Sequence, residues 1–192
     1  MNPATARVLR KTQRNLEQYY ELEQAPDVTL FAAEGAPGER ESVLVRELQG
    51  DVEIAVIVPA RDAQDRSGDA WVQVLEGVSH FVHLVERVRT NLPTTQLELE
   101  LQAEVDKFVL LALERDAWEP RHLRRVHRRL YHGVRFLHAA GTEAGERYRL
   151  AHHLAARLSE RLLSMSPGEV RSYLRRFYRE GQEGKIALAQ AA

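Results

Sequence analysis

The residues best placed to do chemistry are histidines and carboxylates that recur at helical spacing between positions 76 and 104. Glu76, His80, His83 and Arg87 follow one another at offsets of four, three and four, so on a helix they form one stripe. Glu100 and Glu104 repeat the four-residue offset further along. Glu104 falls among Leu97, Phe108 and Leu111, on the side expected to be buried, where an unpaired carboxylate is costly or takes up a proton. Folding the two segments antiparallel about residue 92 puts His80 level with Glu104 and His83 level with Glu100 and Leu101. Imidazole and carboxylate on facing helices are the ligands of di-iron and di-manganese bundles. Glu76, His80, His83, Glu100 and Glu104 are therefore a candidate site for a divalent metal, with redox or hydrolytic chemistry to match. The full di-metal pattern is absent, because the only Glu-x-x-His pair, Glu119/His122, lies at a helix start outside the cluster. The structural alternative is an ion pair of Glu104 with His80, Lys107 or Arg147, and a solvated stripe on the first helix.

A second set of residues suits binding rather than catalysis. Arg121, Arg124, Arg125, Arg128, Arg129 and Arg135 gather opposite Leu123, Leu130 and Val134, and His122, His127, His132 and His138 add charge at lower pH. Arg171, Arg175, Arg176 and Arg179 stand beside Tyr173, Phe177 and Tyr178 near the end of the chain. Arginine with exposed aromatics holds single-stranded nucleic acid by phosphate contact and stacking. The same face also fits an acidic protein surface, the acidic part of a second copy of the chain, or simply water and internal partners. His152-His153 reads as a boundary and a surface histidine.

The charge map separates these two regions. Residues 18–119 hold 8 Arg/Lys against 21 Asp/Glu, whereas residues 120–179 hold 14 Arg against 4 Glu, so the formal net charge of −1 conceals a dipolar chain. Arginine outnumbers lysine 24 to 3, a skew typical of GC-rich genomes, which lowers the weight of each arginine as a sign of phosphate binding. With no cysteine among 192 residues, disulfides, thiolate nucleophiles and cysteine metal sites are excluded. A Gly-rich phosphate loop, an H-E-x-x-H pair and a nucleophile elbow are also missing. The N-terminal stretch lacks the apolar run of a signal peptide and no segment is long enough to span a bilayer, which predicts a cytoplasmic protein without a membrane partner.

The elements that position these residues are mostly helical. An amphipathic helix covers 5–23 and stops by Pro26, and VTLFAA is a short strand candidate. ESVLVREL and DVEIAVIVPA flank Gln49-Gly50 and read as a hairpin, with Val45 opposite Ile54, Val43 opposite Val56 and Arg46 opposite Glu53. A hairpin is not stable alone, so it must pack on helices or take VTLFAA as a third strand. Residues 60–69 read as a linker. Helices are predicted over 70–91, 95–115, 120–139 and 143–163. A last one starts at Ser166-Pro167-Gly168-Glu169, and the tail after Gly184 is a frayed turn. The sum is a mainly α (α+β) protein, an antiparallel helical bundle with an N-terminal helix and a small β-hairpin or three-stranded sheet. Residues 1–60, 70–180 and 181–192 form its N-terminal part, bundle and tail within one compact domain.

EGVSHF (76–81), LELELQAEVDKF (97–108) and LRRFYRE (174–180) resemble segments of a group of bacterial helical proteins without an assigned activity. The resemblance covers the helical portion and implies no chemistry. The sequence thus points to a non-enzymatic interaction module with no cofactor, whose basic face meets a protein or nucleic acid. The divalent-metal site is the alternative, and a homo-oligomer or a subunit of a larger assembly fits the same residues.

Overall fold

The N-terminal helix forms because apolar and small polar residues return to one side of it every three to four positions. Leu9, Leu16 and Tyr20 are buried there with Thr5, Thr12, Gln13 and Glu17. This helix, α1 (Pro3–Tyr20), starts on Asn2, whose side chain accepts from the Ala4 amide, and ends at Glu21 in the left-handed conformation, φ 54°. The structure, a computed structural model, describes residues 1–36, 40–48, 51–59, 68–113 and 118–191. The Gln49-Gly50 turn and residues 60–67 of the expected linker lie outside the described residues.

Buried polar groups on α1 shape the segment that follows it. The Gln13 side chain donates to the Pro26 carbonyl at 3.0 Å and accepts from the Val28 amide at 2.9 Å, while Glu17 accepts from the Ala25 amide at 3.0 Å. VTLFAA does not become one strand. Val28–Leu30 makes a 3-10 turn capped by Asp27, and only Ala32–Glu34 is extended, as β1. The hairpin has the register the sequence predicts. β2 (Ser42–Leu48) and β3 (Asp51–Val58) pair antiparallel with Val43↔Val56, Val45↔Ile54 and Arg46↔Glu53. β1 adds parallel to β3, giving a three-stranded mixed sheet of order β1-β3-β2. Helix α2 (Gly68–Arg89) packs on α1 and on this sheet, and Gly77 allows the close approach, since a Cβ there would stand 3.1 Å from Val56.

The chain divides into two compact units, Met1–Leu92 and Pro93–Ala192, so α2 belongs with α1 and the sheet. The second unit is all helical: α3 (Gln96–Leu113), α4 (Pro120–Tyr131), α5 (Glu143–Leu162), α6 (Pro167–Arg179) and α7 (Gln182–Gln190). Its core is built from α3 against α5 with α4 and α7 added, around Leu101, Phe108, Leu123, Leu154, Leu158 and Phe177, all essentially inaccessible to solvent. Each such side chain contributes about 1.5–3 kcal/mol relative to an exposed one.

Two predicted boundaries move. The basic helix stops at Tyr131 rather than near 139, because His132 is extended and Gly133 adopts φ 74°. Val134 and Leu137, assigned to its apolar face, are instead loop residues exposed by 41% and 68%. The tail beyond Gly184 is no frayed turn but part of α7, with Lys185 and Ala189 buried.

Candidate functional site

The histidine stripe on α2 is not solvated. Glu76 is half-buried, whereas His80, His83 and Arg87 are buried, and each of these three has a polar neighbour. His80 Nδ1 lies 3.6 Å from the Glu41 carboxylate, and Arg87 Nε donates to His83 Nε2 at 3.3 Å. A ring nitrogen that accepts from a guanidinium carries no proton there, so that contact describes His83 as an imidazole with its proton elsewhere. Of the five residues of the proposed metal set, Glu76, His80 and His83 belong to the first unit, and Glu100 and Glu104 to the second.

Glu104 does have the partner that its burial demands. Lys107, one turn on in α3, donates to its Oε1 at 2.5 Å, and His152 Nδ1 of α5 stands 3.3 Å from its Oε2. Burial pushes this carboxyl up, but the Lys107 charge and the hydrogen bonds from His152 and Lys107 outweigh it and hold the group at about 2. Tyr131, the last residue of α4, donates its hydroxyl to the Glu104 backbone carbonyl at 2.9 Å, and burial pushes that phenol far above its usual range. His152 Nε2 faces the Tyr131 carbonyl at 3.4 Å. Carboxylate and carbonyl can only accept, so both His152 contacts are hydrogen bonds at once only when both ring nitrogens carry protons. The group ties α3, α4 and α5 together, with its carboxylate neutralised from two sides. Sequence reasoning named Lys107 as one possible partner but read His152 as a boundary residue. A separation of 48 residues leaves no local signal for that pairing.

The basic face is a property of α4. Pro120 at the first position starts the helix after Glu119. Leu123, Val126 and Tyr131 face the core, and the half-buried His122 and His127 reach the carbonyls of Leu111 and Ala156, each at 3.1 Å. This orientation leaves Arg121, Arg124, Arg125, Arg128 and Arg129 on the opposite side, all exposed. None of the five has a hydrogen bond or ion pair among the described residues. Arg128 and Arg129 also sit in the last turn, where cations complement the helix dipole. Arg135 is exposed in the loop after the helix. That loop is fixed by Arg149, which donates to the carbonyls of His138 and Ala139, and by the ring of His138 stacked on Tyr148.

The arginines of α6 are less free. Arg171 is exposed, but Arg175 is half-buried and engaged, and Arg176 lies 3.8 Å from Glu180. The nearby aromatics are spoken for as well. Phe177 and Tyr178 are buried, while Tyr173 donates to the Leu188 carbonyl at 2.6 Å and lies under the Arg161 guanidinium at 4.7 Å. The stacking platform expected from the sequence is therefore used inside the fold.

No family model, no curated protein and no solved structure matches this chain. Among the described residues no helix is long and apolar enough to cross a membrane.

Proposed function

We propose that this chain works by binding, and that the α4 face takes an anionic partner. The observation that carries the reading is the row Arg121, Arg124, Arg125, Arg128 and Arg129, exposed along one helix side without an anionic partner among the described residues. Arg121, the pair Arg124/Arg125 and the pair Arg128/Arg129 recur at offsets of three to four, a backbone rise of about 4.5–6 Å from one turn to the next. The row itself contains no apolar anchor of the kind that dominates protein–protein interfaces. A phosphate backbone needs no such anchor, because counterion release supplies the affinity. With the α6 aromatics engaged internally, base stacking is not part of the reading, so the favoured ligand is a duplex contacted through its phosphates without sequence preference.

The test is the double charge reversal Arg124→Glu/Arg128→Glu, with binding to a 20-base-pair DNA duplex followed by fluorescence anisotropy between roughly 50 and 200 mM salt. Wild-type affinity should fall with salt by about 0.9 log units per log unit of salt for each phosphate contact. The variant should lose at least tenfold in affinity and about two contacts in slope, with no fall in melting temperature. Retained binding by the folded variant would remove α4 from consideration. Salt-sensitive binding of wild type to polyglutamate but not to the duplex would assign the face to an acidic protein.

A further inference from the structure

The first unit contains a cavity that none of the preceding argument uses. It measures about 320 Å³ and lies between the segment after α1, strand β3 and the last turns of α2, with Leu22, Ala25, Phe31, Ile54, Val82 and Val85 among its apolar walls. A dry apolar cavity of about 150 Å³ takes up one benzene, so this one has room for a body of about two rings. Small molecules bind in hollows of this kind, where apolar walls give affinity and a few polar groups fix the chemistry of the ligand. The charged groups of this wall are Glu23, on the segment after α1, and Glu86 and Arg89, on α2.

These groups select a positive ligand. Arg89 bonds both Glu86 and Glu23 at 2.6 Å, so two carboxylates share one guanidinium and the formal charge of the three is −1. Each carboxylate meets Arg89 through Oε2, and among the described residues neither Oε1 accepts a hydrogen bond. Two helices also end beside the cavity. α1 stops at Tyr20 with no basic residue in its last turn, and Val85, Glu86, Val88 and Arg89 at the end of α2 line the wall. The negative poles of both helix dipoles add to the carboxylate excess, and Arg89 alone among the lining residues opposes it. An ammonium group has three donors and no acceptor, which suits two open carboxylate oxygens. We propose that this cavity binds a small arylalkylamine, with its ring system among Phe31, Val82 and Val85 and its ammonium group at Glu23 and Glu86.

The test is titration calorimetry at pH 7 with 1-naphthylmethylamine, its neutral counterpart 1-naphthylmethanol and the anion 1-naphthylacetate. Wild type should bind the amine at one saturable site, at least tenfold more tightly than the alcohol and more tightly still relative to the anion. Arg89→Gln leaves both carboxylates without their guanidinium and should tighten the amine at least threefold, a gain that a merely damaged fold would not produce. The double variant Glu23→Gln/Glu86→Gln leaves Arg89 alone and should weaken the amine at least tenfold while the alcohol keeps its wild-type affinity. Val85→Phe, which narrows the cavity, should weaken amine and alcohol alike. Absence of saturable amine binding to wild type would overturn the proposal, as would equal affinity for amine and alcohol. Amine affinity unchanged in both charge variants, or affinity for both ligands unchanged in a folded Val85→Phe, would also overturn it, since binding would then lie elsewhere.

Discussion

Replacing Glu104 by glutamine keeps the shape of the side chain and removes its charge, which isolates what the Lys107 and His152 contacts contribute. The carboxyl is held at about 2 against an ordinary 4.5. At about 1.4 kcal/mol per pH unit, the ionised group stabilises the fold by about 3 kcal/mol. The side chain is only 17% exposed, so screening by water takes little from that figure. The sign follows from a folded value below the unfolded one. The stabilisation is complete above pH 4.5 and is lost as pH falls from there toward 2. Urea unfolding of wild type and Glu104→Gln at a series of pH values should therefore show a gap of about 3 kcal/mol at pH 7. It should narrow to below about 1 kcal/mol near pH 2.5, where the carboxyl is protonated in the unfolded chain and folding must nearly offset its deprotonation. The glutamine amide facing Lys107 adds an offset that does not vary with pH, so the narrowing carries the argument. A gap constant across that range, or none at pH 7, would refute the ion-pair account of Glu104.

Lys185 is fully buried, and its Nζ donates to Gln102 Oε1 at 2.5 Å and to the carbonyls of Phe177 and Tyr178 at 2.9 and 3.2 Å, so it closes the end of α6. Lys185→Met should cost about 3 kcal/mol in urea unfolding, in line with breaking a buried charged network, and an unchanged midpoint would show that α7 does not hold α6. Ser166 and Glu169 form a reciprocal capping box at the start of α6. Ser166→Ala should lower stability by about 1 kcal/mol and speed amide exchange in the first turn of α6, and exchange at the wild-type rate would refute the cap's contribution.

The elements that were legible in the sequence are those whose signals are local. Alternation of Val43, Val45, Ile54 and Val56 with the Arg46/Glu53 pair sets the hairpin register, because a slip by one residue would turn every side chain to the other face. Ser166-Pro167 likewise starts a helix by its own chemistry. The end of α4 was not legible, since Val134 and Leu137 continue the helical period of Leu123 and Leu130. Periodicity records where apolar residues recur, but a helix continues only where a core is there to receive them, and Leu137 stands in solvent. Lys185 failed for the opposite reason. A lone lysine in the tail reads as exposed, and the Gln102 side chain and the carbonyls at the end of α6, brought to it by the fold, satisfy it in the interior. The α2 stripe shows the same dependence, with His83 completely buried and its Nε2 accepting from Arg87 one turn away.

These comparisons sharpen the case for α4. Inside the second unit, the half-buried Glu104 and the buried Lys107 and Lys185 each meet an opposite charge or a carbonyl dipole. On α4 the pattern reverses. The pairs 121/124, 121/125, 124/128, 125/128 and 125/129 place like charges three or four residues apart, and each such pair destabilises a helix by a few tenths of a kcal/mol. Alternating glutamate with arginine at the same sites would have turned that repulsion into support, as the chain does with Arg89 and Glu86 on α2. A row of arginines is thus unfavourable for the helix by itself and favourable once an anion lies along it. The double reversal separates the two effects, because it makes two of those five pairs attractive and leaves three repulsive. Loss of binding in that variant, with a melting temperature no lower than that of wild type, would place the arginine row on the side of recognition and not of folding.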